Sequence, residues 1–154
     1  MRDPHANPNQ LAAHTRATSG AHGVEPGVVL VSYDRSPACD NALAYAAGIA
    51  ERTYAQLVVL FVDDTVKLAC APDDPARVVE AVAAEVGQVL DHRTTRYDVA
   101  VAAGDPAGVI QRVAADLRAD VVVVGRAHHP RLHPFGSVPT RLARRADQPV
   151  VVVP

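Results

Sequence analysis

The sequence predicts an α/β fold: a doubly wound, five-stranded parallel sheet with helices on both faces. Three observations lead to it. Ala (28 residues) and Val (26) supply 54 of the 75 hydrophobic residues, so the core is built from one strong helix former and one strong strand former. From Gly27 onward, short apolar runs of strand length alternate with stretches whose apolar residues recur at helical spacing. Three of those stretches open with a capping residue followed by proline, at Ser36-Pro37, Asp74-Pro75 and Asp105-Pro106. Strands alternating with helices imply parallel pairing through right-handed crossovers, with helices on both faces.

Gly27 to Tyr33 (GVVLVSY) is an apolar run closed by Asp34 and reads as a buried strand. Ser36 caps the first helix, which carries Leu43, Ala46, Ala47 and Ala50 on one stripe. Gln56 to Val62 (QLVVLFV) is the second strand, and Asp63 to Pro72 a loop. The second helix, opened by Asp74-Pro75, carries Val78, Val79, Val82, Val86, Val89 and Leu90. Thr94 to Ala102 (TTRYDVAVA) alternates and is less apolar, which places the third strand at a sheet edge. Gly104-Asp105-Pro106 starts the third helix, with Val109, Ile110, Val113 and Leu117 facing inward. Val121 to Val124 is a buried strand ending at Gly125, and a ten-residue loop, Arg126 to Phe135, follows it. Gly136-Ser137 opens the fourth helix, along which Arg141, Arg144 and Arg145 complement the negative end of the dipole. Pro149 introduces the last strand, Val150 to Val153. Five such strands can be ordered 2-1-3-4-5 or 3-2-1-4-5, and either order puts a ligand site outside the carboxyl ends where the winding reverses.

Residues 1–26 lack apolar periodicity and hold Pro, Asn, Gly and three His; they read as a disordered tail ahead of a domain at 27–154. Translation starting near Val24 is the other reading of this segment.

Composition excludes several classes. A net charge of −2 leaves no electrostatic footprint for nucleic acid. No apolar run approaches a membrane span, and the N-terminus has no signal-peptide pattern. Two cysteines make no disulfide framework, so the expectation is a cytoplasmic protein with reduced thiols. Of fifteen basic residues only Lys67 is a lysine, and it lies in no glycine-rich segment, which removes a P-loop. A phosphoacceptor receiver domain would need clustered acids after the first strand and a Lys after the last. Neither is present. No nucleophile–base set stands out, so the chain is not expected to be an enzyme.

The chemistry concentrates around Gly125 to Ser137. A glycine-ended strand, a loop and a Gly-Ser helix start make an anion site from backbone N–H groups and the helix dipole. The bland alternative is a βα loop with an ordinary serine cap. Asp34 can likewise be a ligand-facing carboxylate or a loop cap. Cys39 falls in the first turn of a helix, where the dipole lowers a thiol pKa; a small, half-buried cysteine is the other reading. The His-rich loop (His128, His129, His133) lacks any carboxylate or Cys, and Pro130 and Pro134 deny it a helix, so no metal site is expected there.

These residues resemble the universal stress protein family over Gly27 to Pro154. The resemblance rests on Val31-Ser-Tyr-Asp34-Arg-Ser36-Pro37, Ala119-Asp120-Val-Val-Val-Val-Gly125, Gly136-Ser137-Val138 and Gln148-Pro149-Val-Val-Val-Val, each on its expected element. It implies the strand order 3-2-1-4-5 and a homodimer, for which the apolar edge strand Val150–Val153 is the natural surface. It also implies a stress-response role and an adenine nucleotide, ATP or AMP, as ligand, with Mg accompanying the nucleotide as the only metal. Asp34 would hold the ribose or adenine end, and Val62 would meet adenine through its backbone. Gly125, Gly136, Ser137 and Val138 would line the phosphates. The family's ATP-binding pattern, Gly-x2-Gly-x9-Gly-Ser/Thr, is degenerate here. His128 replaces the middle Gly, and ten residues rather than twelve separate Gly125 from Gly136. Arg126, His128 and Arg131 are then the candidates to contact phosphate by charge. Any ATP hydrolysis would be slow, since no base or transition-state stabiliser is evident. The alternative function is a nucleotide-independent dimeric interaction module that uses the His/Arg-rich loop at 126–135 as its partner surface.

Overall fold

A computed structural model describes residues 25–63, 75–127 and 136–154. Nine elements follow in order: β1 (Val28–Tyr33), α1 (Pro37–Thr53), β2 (Gln56–Asp63), α2 (Pro75–Val89), β3 (Tyr97–Ala103), α3 (Pro106–Asp116), β4 (Val121–Gly125), α4 (Val138–Arg145) and β5 (Val150–Val153). The strands form one parallel sheet in the order β3-β2-β1-β4-β5. This resolves the choice left open by the pattern of elements in favour of 3-2-1-4-5. The third strand lies at an edge, as its alternating sequence predicts. It begins at Tyr97 rather than Thr94, because Thr95 is drawn off to a side-chain hydrogen bond with Glu51 at the far end of α1. Among the described residues, no helix is long and apolar enough to cross a membrane.

The period-two geometry of the strands divides the core into two layers. Val29, Val31 and Tyr33 of β1, with Leu57 and Val59 of β2, face α1 and α2, where they meet Leu43, Ala46, Val82 and Val86. Leu30, Val58 and Leu60 face the opposite side, against Ile110 and Val113 of α3 and Leu142 of α4. The central strands are thus apolar on both faces, which is why their sequences read as continuous runs. Alanines 42, 46, 47 and 50 of α1 are buried, and their small side chains bring the helix close to the sheet.

Two of the three predicted proline-coupled caps are seen, at Ser36 and Asp105; Asp74 lies outside the described residues. Ser36 Oγ accepts from Cys39 N at 3.2 Å, and Asp105 Oδ2 accepts from Gly108 N at 3.0 Å. Asp105 does more than cap. Arg141 of α4 grips both its oxygens at 2.7 Å, a bidentate pair that joins the start of α3 to the middle of α4. The reading of Arg141 as a dipole complement is corrected by this geometry. Its guanidinium is spent on Asp105, and only Arg144 and Arg145 lie in the last turn.

Gly125 sits beneath a close approach of backbone from α1. A Cβ there would sit 2.8 Å from the Ala38 carbonyl carbon and 2.9 Å from Cys39 N, both backbone atoms of α1 that cannot rotate away. The first turn of α1 therefore lies directly over the end of β4. Gly125→Ala is expected to lower unfolding free energy by ~1–3 kcal/mol through overpacking, read as a fall in denaturant midpoint at constant slope. A midpoint equal to that of the parent would show that α1 withdraws at no cost.

Candidate functional site

The two central strands part before they end. The β1–β4 ladder runs from Val29–Val121 to Val31–Val123 and stops, although β1 continues to Tyr33 and β4 to Gly125. On its other side β1 stays paired with β2 as far as Tyr33–Phe61. Chains leave the two parted strands on opposite faces, β1 into α1 and β4 toward α4. That divergence is the topological switch point, and it opens a crevice at the carboxyl ends.

Asp34 and Val62 stand on one lip. Each is the residue immediately after the last β1–β2 pair, so strand register alone makes them neighbours. Asp34 is exposed, and its Oδ1 accepts from Ser36 N at 2.9 Å, so the carboxylate shapes the turn while facing solvent. Val62 is half-buried, packed against the α3/α4 layer and paired with Ala102.

Gly125, Arg126, Gly136, Ser137 and Val138 belong to the other lip. Arg126 N donates to Val153 O at 2.8 Å, which extends the β4–β5 ladder and leaves the Arg126 side chain exposed. Gly136 has φ +86, a left-handed conformation that suits glycine, and a Cβ there would meet only the Thr140 side chain at 3.6 Å. Among the described residues no backbone crowds Gly136, so its glycine serves backbone shape, whereas the glycine at 125 serves packing against α1. Ser137 caps α4: its Oγ accepts from Thr140 N at 3.4 Å and shares a 2.9 Å hydrogen bond with Thr140 Oγ1. Val138 is the first residue of α4 and half-buried. His128 and Arg131 lie outside the described residues, as do His129, His133 and most of the 126–135 loop. Among the described residues no cluster of three His, Cys, Asp or Glu could hold a metal ion.

An open depression of about 520 Å³ lies on the α4 side of this lip, bounded by Arg126, Ser137, Thr140, Arg144 and Val152. It shares Ser137 and Arg126 with the crevice but not Asp34 or Val62.

Two buried groups beneath the crevice show what the core does to ionisation. Cys39 is 5% exposed, and burial, reinforced by a hydrogen bond to Asp34, pushes its thiol up to about 11. The half-buried reading is thus too exposed, and the helix dipole does not activate this cysteine. Tyr33 is 4% exposed and is pushed up to about 12 by burial and by the nearby Asp40 and Glu85 carboxylates. Each group holds its proton more tightly in the folded chain than in the unfolded one. Their contribution is full below the ordinary values of 9.0 and 10.0 and is lost as pH rises through about 11 and 12. The denaturant midpoint is expected to hold up to pH 9 and fall above it, and Cys39→Ala is expected to remove the lower part of that fall. Cys39 of the folded protein should also resist iodoacetamide at pH 8, read by peptide mapping. A flat midpoint to pH 11, or fast alkylation of Cys39, would contradict this picture.

Residue patterns missed three participants. Nothing in the sequence links Arg35 to Glu85, 50 positions away, or Asp105 to Arg141, 36 away. The packing role of Gly125 was equally hidden. A glycine at a β-strand end is a signal for close approach, but the partner comes from α1, far upstream.

Comparison with known proteins agrees with this architecture. The model of the universal stress protein family matches residues 27–154. No protein of curated function matches the sequence significantly. Among solved structures, a universal stress protein in complex with cAMP superposes with a TM-score of 0.69 at 22% identity, covering 83% of this chain and 97% of that one. The universal stress protein UspA from Lactobacillus plantarum gives 0.60 at 25% identity, covering 85% and 99%. A universal stress protein from Archaeoglobus fulgidus in complex with dAMP gives 0.65 at 17% identity, covering 85% and 98%. With the family model matched from the first strand to the last residue, on the sheet order and switch point just described, the chain belongs to the universal stress protein family.

Proposed function

We propose that this protein is a cytoplasmic, non-catalytic stress-response regulator that binds an adenine nucleotide, ATP or AMP, in the crevice between β1 and β4. The observation that carries this reading is the parting of β1 from β4 after Val31 and Val123. It sets Asp34 and Val62 on one lip and the Gly136-Ser137 helix start on the other. Asp34 would accept from ribose hydroxyls or the adenine edge. The backbone of Val62 would meet the base. Gly136, Ser137 and Val138 would offer the start of α4 to phosphate, with Arg126 and the loop's His128 and Arg131 adding charge. Mg would arrive with the phosphates, and hydrolysis would be slow. Similar folds in complex with cAMP and dAMP support the choice of ligand class.

A specific observation favours a second reading, a nucleotide-independent dimeric module using the 126–135 loop. The space beside Gly125 is filled by the backbone of α1, and the Ser137 hydroxyl is already bonded to Thr140. Two of the family's phosphate positions thus have full structural employment.

Calorimetric titration with ATP and AMP separates the two. The nucleotide reading expects saturable binding that weakens about tenfold or more in Asp34→Ala, which loses a charged hydrogen-bond acceptor, and in Gly136→Val, which cannot adopt φ +86 without strain. Absence of binding in the parent leaves the interaction module. Binding indifferent to both substitutions moves the site elsewhere.

We also propose a homodimer through β5. This strand is at the sheet edge, all four residues are valine, and Val152 is 46% exposed. Light scattering on a sizing column is expected to give a dimer at micromolar concentration and a monomer for Val152→Lys. A monomeric parent would refute it.

A further inference from the structure

Arg35 is the single residue between the Asp34 carboxylate and the Ser36 cap of α1, and it has φ +67. Among the described residues Tyr54 and Arg118 are the other non-glycines with positive φ. Both follow helix ends, where a left-handed residue is the ordinary way to stop a helix. Arg35 instead precedes a helix, and there the conformation needs another support. Glycine would adopt it without strain, yet the chain carries one of its longest side chains at this point.

That side chain is tethered to two other elements. Its Nε donates to Glu85 Oε2 of α2 at 2.7 Å, and its guanidinium carbon lies 4.6 Å from the centre of the Phe61 ring on β2. Two bonds within the turn are short-range: Asp34 Oδ1 accepts from Ser36 N, and Ser36 Oγ accepts from Cys39 N. Arg35 adds a long-range side-chain anchor to the turn, at the residue next to Asp34.

We propose that Arg35 is a positioning residue for Asp34. Held on Phe61 and Glu85, it fixes the left-handed turn that sets the carboxylate for the hydroxyl-bearing end of a nucleotide. Helix α2 thereby tunes affinity without touching the ligand. This rests on the crevice being an adenine-nucleotide site, so the test has one measurement with ligand and one without.

Amide hydrogen exchange in ligand-free protein reads the turn directly. Arg35→Ala and Glu85→Gln are each expected to speed exchange at Ser36 and Cys39 by about two- to fivefold, the range of an exposed ion pair, with core amides such as Leu60 unchanged. The double variant should be no faster than Arg35→Ala alone, since Arg35→Ala already removes the ion pair that Glu85→Gln weakens. Titration with AMP should show a matching rise in Kd at nearly constant melting temperature. Unchanged exchange in both single variants overturns the proposal whether or not AMP binds. Faster exchange with unchanged Kd also overturns it, and leaves Arg35 a purely structural residue. If the unaltered protein binds no AMP, the nucleotide reading itself fails, and the positioning role falls with it.

Discussion

The close approach of α1 to β4 is the constraint on which the rest of the molecule depends. With no Cβ at Gly125, the backbone of Ala38 and Cys39 lies against the strand end at a distance no side chain would tolerate. The start of α1 is thereby set against the strand end where β1 and β4 separate. Everything at the carboxyl end of the sheet is referenced to that contact. The Ser36 cap holds the helix start, Asp34 shapes the turn before it, and the Cys39 thiol is sealed beneath. A larger residue at 125 would lift the helix and move the carboxylate with it.

The same contact explains how a degenerate phosphate motif sits on an intact scaffold. In the ligand-binding pattern the glycines would let backbone approach phosphate, yet in this chain they divide their work. Gly125 admits a helix, and Gly136 supplies a left-handed residue before α4. Cationic side chains at Arg126 and Arg144 border the depression beside α4.

On the other face, Asp105 and Arg141 tie the start of α3 to the middle of α4. Arg35 and Glu85 do the same for the β1–α1 turn and α2. Both pairs are exposed enough to be individually modest in energy, with side chains 26–47% accessible. Their importance is geometric: each joins segments that share no strand ladder.

The amino-acid order alone determined the nine elements, their alternation, the proline-coupled caps and the two-faced burial of the central strands. Those follow from local propensity and from hydrophobic period, which are readable in windows of a few residues. It also placed Asp34, Val62 and the Gly136-Ser137 start at strand and helix ends, because turns announce themselves by composition. Tertiary structure decided the rest. Thr95 left the third strand because Glu51 lay within reach, Arg141 turned from the dipole to Asp105, and the Cys39 thiol was raised rather than lowered because the sheet buries it. Gly125 proved to be a packing residue because the helix turn that needs its space lies 87 residues upstream, at Ala38. Contacts of that separation are set by how crossovers fold back over the sheet, and no local pattern in the sequence encodes them.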